Sequence, residues 1–225
     1  MGFPLIATPT VALLLDIRTA ITILILPNIV MDIAQVFRGG FPAAVLRRFA
    51  WFFVLTVIGV FLGTKLLATL PLWMLNFSLG VMVLIFVVSN WLRFDFTIPP
   101  RLERRLSLPA GLISGLLNGM TNAAGPALAI YLYGLKLPKV EFIKSIATIF
   151  IITKLSQLAA VSTWNLFNWS TLSLSLEVTL FVLLGFYGGL KTQDRINQQT
   201  FNRGLVCLLF AAGMALVLRA LTQLS

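Results

Sequence analysis

The residues best suited to binding a ligand lie inside apolar sequence, in the stretch LPAGLISGLLNGMTNAAGPALAIYLYGLKLP from Leu108 to Pro138. Its centre holds polar and turn-forming residues, namely Asn118, Thr121, Asn122, Ala123, Ala124, Gly125 and Pro126. Proline suits the first turn of a helix, where a missing N–H costs nothing, so a second half-helix is expected to begin there. The unpaired N–H groups and partial positive charge of a helix start favour an oxyanion. The stretch therefore predicts an anion site, the alternative being a tight packing turn with internally satisfied amides.

A second set of polar residues follows at helical spacing. Asn28, Asp32 and Gln35 stand at i, i+4 and i+7, which places them on one helix face. Lys154 and Gln157 occupy the equivalent face later in the chain. A charge in the middle of a membrane is costly unless it faces an interior or a cavity, so such residues are candidate site residues.

Lys154 is the candidate for attracting an anion, because it is expected nearest the middle of the membrane. Its alternative role is a structural ion pair with Glu177, which stands early in the next apolar run at a similar expected depth. The two roles are compatible if the pair opens and closes during transport. Asp32 lies nearer a helix end and could instead extend its carboxylate to the cytoplasmic surface.

The composition places these residues in a membrane. Of the 225 residues 59% are hydrophobic and 11% are charged, whereas a soluble domain is about 25% charged. The sequence therefore predicts an all-α integral membrane protein whose partners are the bilayer and a small anionic substrate. The net charge of +10 is explained by Lys and Arg on cytoplasmic loops, so nucleic acid is not an expected partner.

The missing residue types exclude several chemistries. The chain has no histidine and one cysteine, Cys207, so histidine relays, disulfides and the usual zinc sites are excluded. No phosphate-cradling G-x-x-x-x-G-K loop is present, which argues against ATP hydrolysis. We expect no cofactor, no metal and no enzymatic activity.

The central stretch is also too long and too broken to be an ordinary transmembrane helix. Its two apolar arms of about 12 residues would each reach roughly 18 Å. This length is a little over half of a bilayer core of about 30 Å, so the break is expected at mid-membrane depth. Secondary transporters hold their substrates at this depth.

The chain contains an internal repeat. An offset of 122 positions relates Pro4 to Pro126, Asp32 to Lys154 and Gln35 to Gln157, and an offset of 126 relates Gly59 to Gly185. We predict repeat 1 at residues 1–98, a basic cytoplasmic linker at 99–107 and repeat 2 at 108–225, together forming one membrane domain. Repeat 1 lacks a counterpart of residues 108–122, so either the native chain starts upstream of Met1 or that half-helix is lost. Gly2 and Pro4 would complete the site from repeat 1.

The distribution of basic residues predicts the path of the central stretch. If it crossed the membrane once, Lys and Arg would divide evenly between the two sides. If it re-enters as a hairpin, 13 basic residues share one side, in the loops at 38–48, 93–105, 136–144 and 191–203. Because this asymmetry orients membrane proteins, we favour the hairpin. Each repeat then has three true crossings, an odd number, and the repeats are inverted.

The run GLISGLLNGMTNAAGP, from Gly111 to Pro126, resembles the repeated Gly-rich motif of the TauE/SafE family. The opening MGFPLIATPTVALLLD resembles the end of the same motif. This family comprises bacterial membrane proteins associated with export of sulfite and organosulfonates. The resemblance covers essentially the whole chain and implies transport of a small sulfur-containing oxyanion across the bacterial cytoplasmic membrane.

These observations together predict a secondary transporter, expected to be an exporter, of an anion such as sulfite or a sulfonate. The alternatives are an anion channel, an importer of a related anion such as thiosulfate, and a membrane scaffold. The scaffold would leave Lys154 and the polar centre unexplained. The sequence does not decide between a monomer and a homodimer.

Overall fold

The computed structural model describes residues 3–38, 43–91, 97–192 and 198–224, and all regular structure in these ranges is α-helical. The predicted all-α class is confirmed. The helices are α1 (Phe3–Leu14), α2 (Ile17–Ile23), α3 (Ile25–Arg38), α4 (Ala43–Arg48), α5 (Ala50–Thr69), α6 (Leu72–Trp91), α7 (Pro100–Thr121), α8 (Gly125–Gly134), α9 (Lys139–Thr163), α10 (Trp169–Thr192) and α11 (Gln198–Thr222).

Five helices in the described ranges are long and apolar enough to cross a membrane: α5, α6, α9, α10 and α11. Each has an apolar segment of at least 18 residues, which spans about 27 Å at 1.5 Å per residue. That length matches a bilayer core of about 30 Å. The chain is a multi-pass membrane protein.

The apolar run after Asp16 forms two shorter helices, α2 and α3, instead of one crossing helix. Pro27 has no N–H and cannot donate to the carbonyl of Ile23, four residues earlier. That carbonyl instead accepts a hydrogen bond from Ser175 Oγ of α10, at 2.6 Å. The proline thus explains the break, and a side chain of another helix satisfies the freed backbone group.

Helices α7 and α8 form a helical hairpin, as predicted for the central stretch. Asn122 ends α7 in the left-handed conformation, with φ 62°, and its backbone N–H donates to the Asn118 carbonyl at 2.9 Å. Asparagine tolerates this conformation better than most residues. At the other end of the hairpin, the Ile98 N–H donates to the Gly134 carbonyl at 2.6 Å. The end of α8 therefore lies beside the start of α7, at the same end of the bundle.

Helix α7 packs tightly against α5 along a stripe of small residues. Gly111, Gly115 and Gly119 recur every fourth residue, and a Cβ on each would overlap a backbone carbonyl oxygen of α5. In a membrane, such close backbone contact supplies much of the packing energy, because lipid is as apolar as the helix surfaces. This contact holds the hairpin in the bundle.

One end of the bundle is joined by ion pairs. Arg48 at the end of α4 binds Glu103 of α7 through two hydrogen bonds, at 2.7 and 3.0 Å, and Glu141 of α9 at 2.6 Å. The hydrogen bonds with Glu103 raise the pKa of Arg48 above its ordinary value, against the opposing effect of partial burial. These contacts bring segments 43–48, 100–105 and 139–144 together, as the hairpin prediction requires. Residues 100–107 of the predicted basic linker form the first two turns of α7.

The opposite end is held by arginine contacts to backbone carbonyls. Arg18 donates to the carbonyls of Leu67 and Leu70 at 2.8 and 2.5 Å, and Arg219 donates to the Ala12 carbonyl at 2.8 Å. These contacts connect the start of α2 to the end of α5, and the end of α11 to α1. Helices α1, α2, α5 and α11 therefore meet at this end of the bundle, which is opposite to the end with the Arg48 ion pairs.

Candidate functional site

Lys154 of α9 is fully buried and surrounded by amide side chains. Its Nζ donates to Asn118 Oδ1 at 3.1 Å, to Gln157 Oε1 at 2.9 Å and to Asn122 Oδ1. The three N–H groups of the ammonium thus have three neutral acceptors. We refer to Lys154, Asn118, Asn122 and Gln157 as the lysine–amide cluster.

The remaining amide groups of the cluster bind one another and a third helix. Asn118 Nδ2 donates to Gln157 Oε1 at 3.2 Å, and Gln157 Nε2 donates to the Asn118 carbonyl at 3.1 Å. Asn122 Nδ2 donates to Thr8 Oγ1 of α1 at 3.2 Å. The cluster therefore connects α1, α7 and α9 through buried hydrogen bonds.

The backbone at the hairpin tip explains why the cluster forms there. The left-handed residue Asn122 ends α7, and its side chain turns back toward Lys154. Ala123 and Ala124 follow and are almost fully buried, and no side chain caps the start of α8. Among the described residues, a Cβ on Gly125 would meet no atom within 4 Å, which leaves space beside the helix start. The predicted anion-favouring helix start thus lies directly after the cluster in the chain.

Asp32 of α3 lies near the cluster without bonding to it. Its carboxylate is only 7% exposed, and its Oδ2 has no hydrogen-bond partner in the described part of the chain. Helix α3 packs against α9, and the charges of Asp32 and Lys154 interact electrostatically with no direct ion pair between them. Asn28, one turn earlier, is also buried and donates to the Leu24 carbonyl at 2.7 Å.

The ion pair between Lys154 and Glu177, the alternative role for this lysine, is not formed in this structure. Glu177 is exposed on α10, whereas Lys154 is fully buried among amides. The side of α10 that faces inward carries Ser175 and Thr179 instead. The rotation of α10 about its axis therefore directs Glu177 away from the cluster.

The other predicted site residues have varied positions. Thr121 is buried and its Oγ1 accepts a hydrogen bond from the Ala123 N–H at 3.4 Å. Pro4 lies partly exposed on α1. Gly2 and the side chains of Gln35 and Pro126 lie outside the described residues.

Two polar residues join this region without having been predicted as site residues. Thr8 bonds Asn122, and Ser114 is buried one turn before Asn118 with no partner for its hydroxyl among the described residues. The only sequence signal for Thr8 is a hydroxyl within an apolar segment. Ser114 shares the spacing of Asn118, four residues later on α7, and that spacing could have identified it.

The cluster offers groups that can bind a ligand through hydrogen bonds and charge. It offers one ammonium and three amide groups, which donate to oxygen atoms and hold a negative charge. Among the described residues, no group of three or more His, Cys, Asp or Glu could hold a metal ion. The arrangement suits an anion with several oxygen atoms.

Comparison with known proteins agrees with the membrane fold and the anion chemistry. A family model described as "Sulfite exporter TauE/SafE" matches residues 1–216, nearly the whole chain. The curated proteins and the solved structures give no match. The family consists of transporters rather than enzymes. With a helical bundle, a polar hairpin tip and a family match over this length, the chain belongs to the TauE/SafE sulfite exporter family.

Proposed function

We propose that this protein is a secondary transporter that exports a small sulfur-containing oxyanion, such as sulfite or a sulfonate, across the bacterial cytoplasmic membrane. The observation that carries the proposal is the fully buried Lys154, whose ammonium donates only to neutral amide oxygens. Membership of a family of anion transporters supports the same substrate class.

The charge of the cluster favours an anion as ligand. Burying an ammonium group costs several kcal/mol, as for other ions, unless an opposite charge compensates it. Neutral amides satisfy its hydrogen bonds but not its charge. An oxyanion at Lys154 supplies that charge, and its oxygens replace amide oxygens as acceptors. The displaced Asn118 and Asn122 then turn their N–H groups toward the anion.

The hairpin tip would provide the other donors. Ala123, Ala124 and Gly125 start the second half-helix, and backbone N–H groups at such a position bind anions well. Sulfite and sulfonates carry three oxygens, enough for the ammonium, an amide and the helix start together. Thr121 and Gln157 complete this side in the proposal.

Helix α3 would close the site from the opposite side. Asn28 contributes an amide, and Asp32 contributes a carboxylate that partly offsets the charge of Lys154. Gln35, Pro4 and Gly2 remain proposed members of this side. In this mechanism the two inverted repeats rock against each other and expose the site alternately to each side.

Transport assays in reconstituted vesicles test the proposal. Uptake and efflux of sulfite, thiosulfate, a sulfonate and sulfate are compared for the wild type and Lys154→Met. We expect saturable transport of at least one sulfur oxyanion and a loss of about 100-fold or more in the variant, on the scale of a broken buried charge contact. Flux that never saturates would indicate a channel.

Lys144→Met is the matched control, because it makes the same change on the same helix, ten residues before the cluster. It should transport like the wild type. Unchanged saturable transport by Lys154→Met would remove Lys154 from the site. Absence of transport for all four anions would refute the substrate class and leave the fold unaffected.

A further inference from the structure

A separate cleft lies at the end of the bundle that carries the Arg48 ion pairs. It has a volume of about 280 Å³ and is bounded by the end of α4, the start of α5, the first turns of α7 and Tyr131 of α8. Its polar lining includes Arg47, Arg48, Glu103 and Arg104. The lysine–amide cluster does not contribute to it.

The cleft has an excess of positive charge. Both carboxylate oxygens of Glu103 accept hydrogen bonds from Arg48, which also binds Glu141. These three groups together carry one negative charge, against the two positive charges of Arg47 and Arg104. Arg47 and Arg104 are exposed and have no acidic partner in the ranges that the structure describes. Two guanidinium groups are therefore left to bind a ligand, and their planar donor sets suit phosphate oxygens.

The cleft continues into an exposed apolar surface of α5, a helix long enough to cross a membrane. Trp51 lines it, is 56% exposed and is the second residue of the membrane-length helix α5. Val54 and Ile58 follow on the same face of α5 and are also exposed. Ile58 in turn borders an apolar groove of about 320 Å³ farther along the helix. Tryptophan at the start of a membrane helix is typical of the headgroup level.

From this juxtaposition we propose that the cleft binds the phosphodiester headgroup of an anionic phospholipid. Arg47 and Arg104 bind the phosphate oxygens, and one acyl chain lies along Trp51, Val54 and Ile58. A soluble phosphate ester shares the headgroup chemistry but has no use for the apolar strip. The distance from Trp51 to Ile58 is about 10 Å along a helix, well within one leaflet.

Native mass spectrometry of the detergent-purified protein tests this site. Phosphatidylglycerol and phosphatidylcholine with identical acyl chains are titrated onto the wild type and onto Arg47→Gln/Arg104→Gln. We expect one tightly bound phosphatidylglycerol, weaker phosphatidylcholine binding, and a Kd for phosphatidylglycerol about 30-fold higher in the double variant. This factor corresponds to ~1 kcal/mol for each basic residue near an anionic lipid.

Arg101→Gln/Arg105→Gln is the matched control, because both residues are exposed on the same turns of α7 but do not line the cleft. It should keep its affinity within about three-fold, since neither guanidinium lines the cleft to bind the phosphate directly. Equal losses in both double variants, or equal binding of the two lipids, would overturn the proposal. Glycerol 1-phosphate is added as competitor, and displacement of the lipid at comparable concentrations would overturn the lipid assignment in favour of a soluble ester. Thermal unfolding confirms that each variant is folded.

Discussion

Helices α5 and α10 carry glycines at matching positions of the proposed repeats, yet they pack differently. A Cβ on Gly59 or Gly63 of α5 would overlap the backbone of α7, whereas a Cβ on Gly185 of α10 would meet no described atom within 4 Å. In the membrane segment of α5, 44% of the residues are buried, whereas in that of α10 only 11% are. Identical small residues thus do not produce a contact by themselves.

The difference lies in the partner helix. Helix α7 presents its own glycines at every fourth position, so the backbones of α5 and α7 approach each other on both surfaces. Around Gly185, the described part of α10 presents large exposed side chains, such as Phe181 and Leu184. Close packing in a membrane needs small residues on both helices, because burial against lipid or protein is nearly equivalent for a large apolar side chain.

The substitution Gly115→Val should disrupt the close contact between α5 and α7 most severely. A Cβ there would overlap the Thr56 carbonyl oxygen, and backbone cannot move as a side chain does. We expect Gly115→Val to destabilise the protein by about 3 kcal/mol or more, at the upper end of overpacking effects. Thermal unfolding in detergent measures the effect, with Gly185→Val as the control. Equal losses in the two variants would show that the α5–α7 contact is not special.

Alanine at position 63 tests the same contact with the smallest possible change. Its Cβ would overlap the Leu116 carbonyl oxygen, so the helices must separate slightly. The expected cost is about 1–3 kcal/mol, less than for valine at position 115. Chemical unfolding in mixed micelles reports the difference. A variant as stable as the wild type would indicate that α5 and α7 tolerate a wider separation.

Removing the Arg48 ion pairs tests what holds the end of α4 to α7 and α9. Arg48 is about one-third exposed, so solvent screens its contacts with Glu103 and Glu141. Arg48→Gln should therefore cost no more than about 1 kcal/mol. The stability difference from the wild type should shrink at high salt. A salt-independent loss would instead point to packing of the Arg48 side chain against Phe49.

Alanine at position 185 should have the smallest effect. The added methyl group meets open space, and alanine is favoured over glycine in helices by about 1 kcal/mol. We expect Gly185→Ala to leave stability unchanged or to raise it slightly, in the same unfolding assay as Gly63→Ala. A clear loss of stability would mean that another helix covers this face of α10 in the membrane.

The sequence predicted the hairpin and most of the cluster for identifiable physical reasons. Basic loop residues are costly to bury, so their distribution predicted a hairpin whose two ends lie together, and the Ile98–Gly134 contact joins those ends. That the hairpin re-enters the membrane stays a prediction. Lys154 and Asn118 stood out because polar groups are rare in apolar segments. That they bind a substrate remains a proposal.

Helix rotation could not be predicted in the same way. In the first half of α10 polar residues stand at every second position, namely Ser173, Ser175, Glu177 and Thr179, which spreads them around the helix. The sequence therefore does not indicate which face turns inward, and it left the pairing of Glu177 with Lys154 as an alternative that this structure does not form. In water an apolar stripe would have marked the buried face, but in lipid no such pattern is required. The contact of Thr8 with Asn122 was missed for the same reason, since it depends on how α1 is rotated.

The break between α2 and α3 has a consequence for movement. A regular helix would have a backbone hydrogen bond from residue 27 to the carbonyl of Ile23. This bond cannot form here, because Pro27 has no N–H to donate. The angle between the two half-helices can therefore change without rupture of that bond, although such a change would alter the contacts of Ser175 with the Ile23 carbonyl and of Asn28 with the Leu24 carbonyl. The break at Pro27 can therefore act as a hinge between α2 and α3, and α3 carries Asp32 beside the lysine–amide cluster.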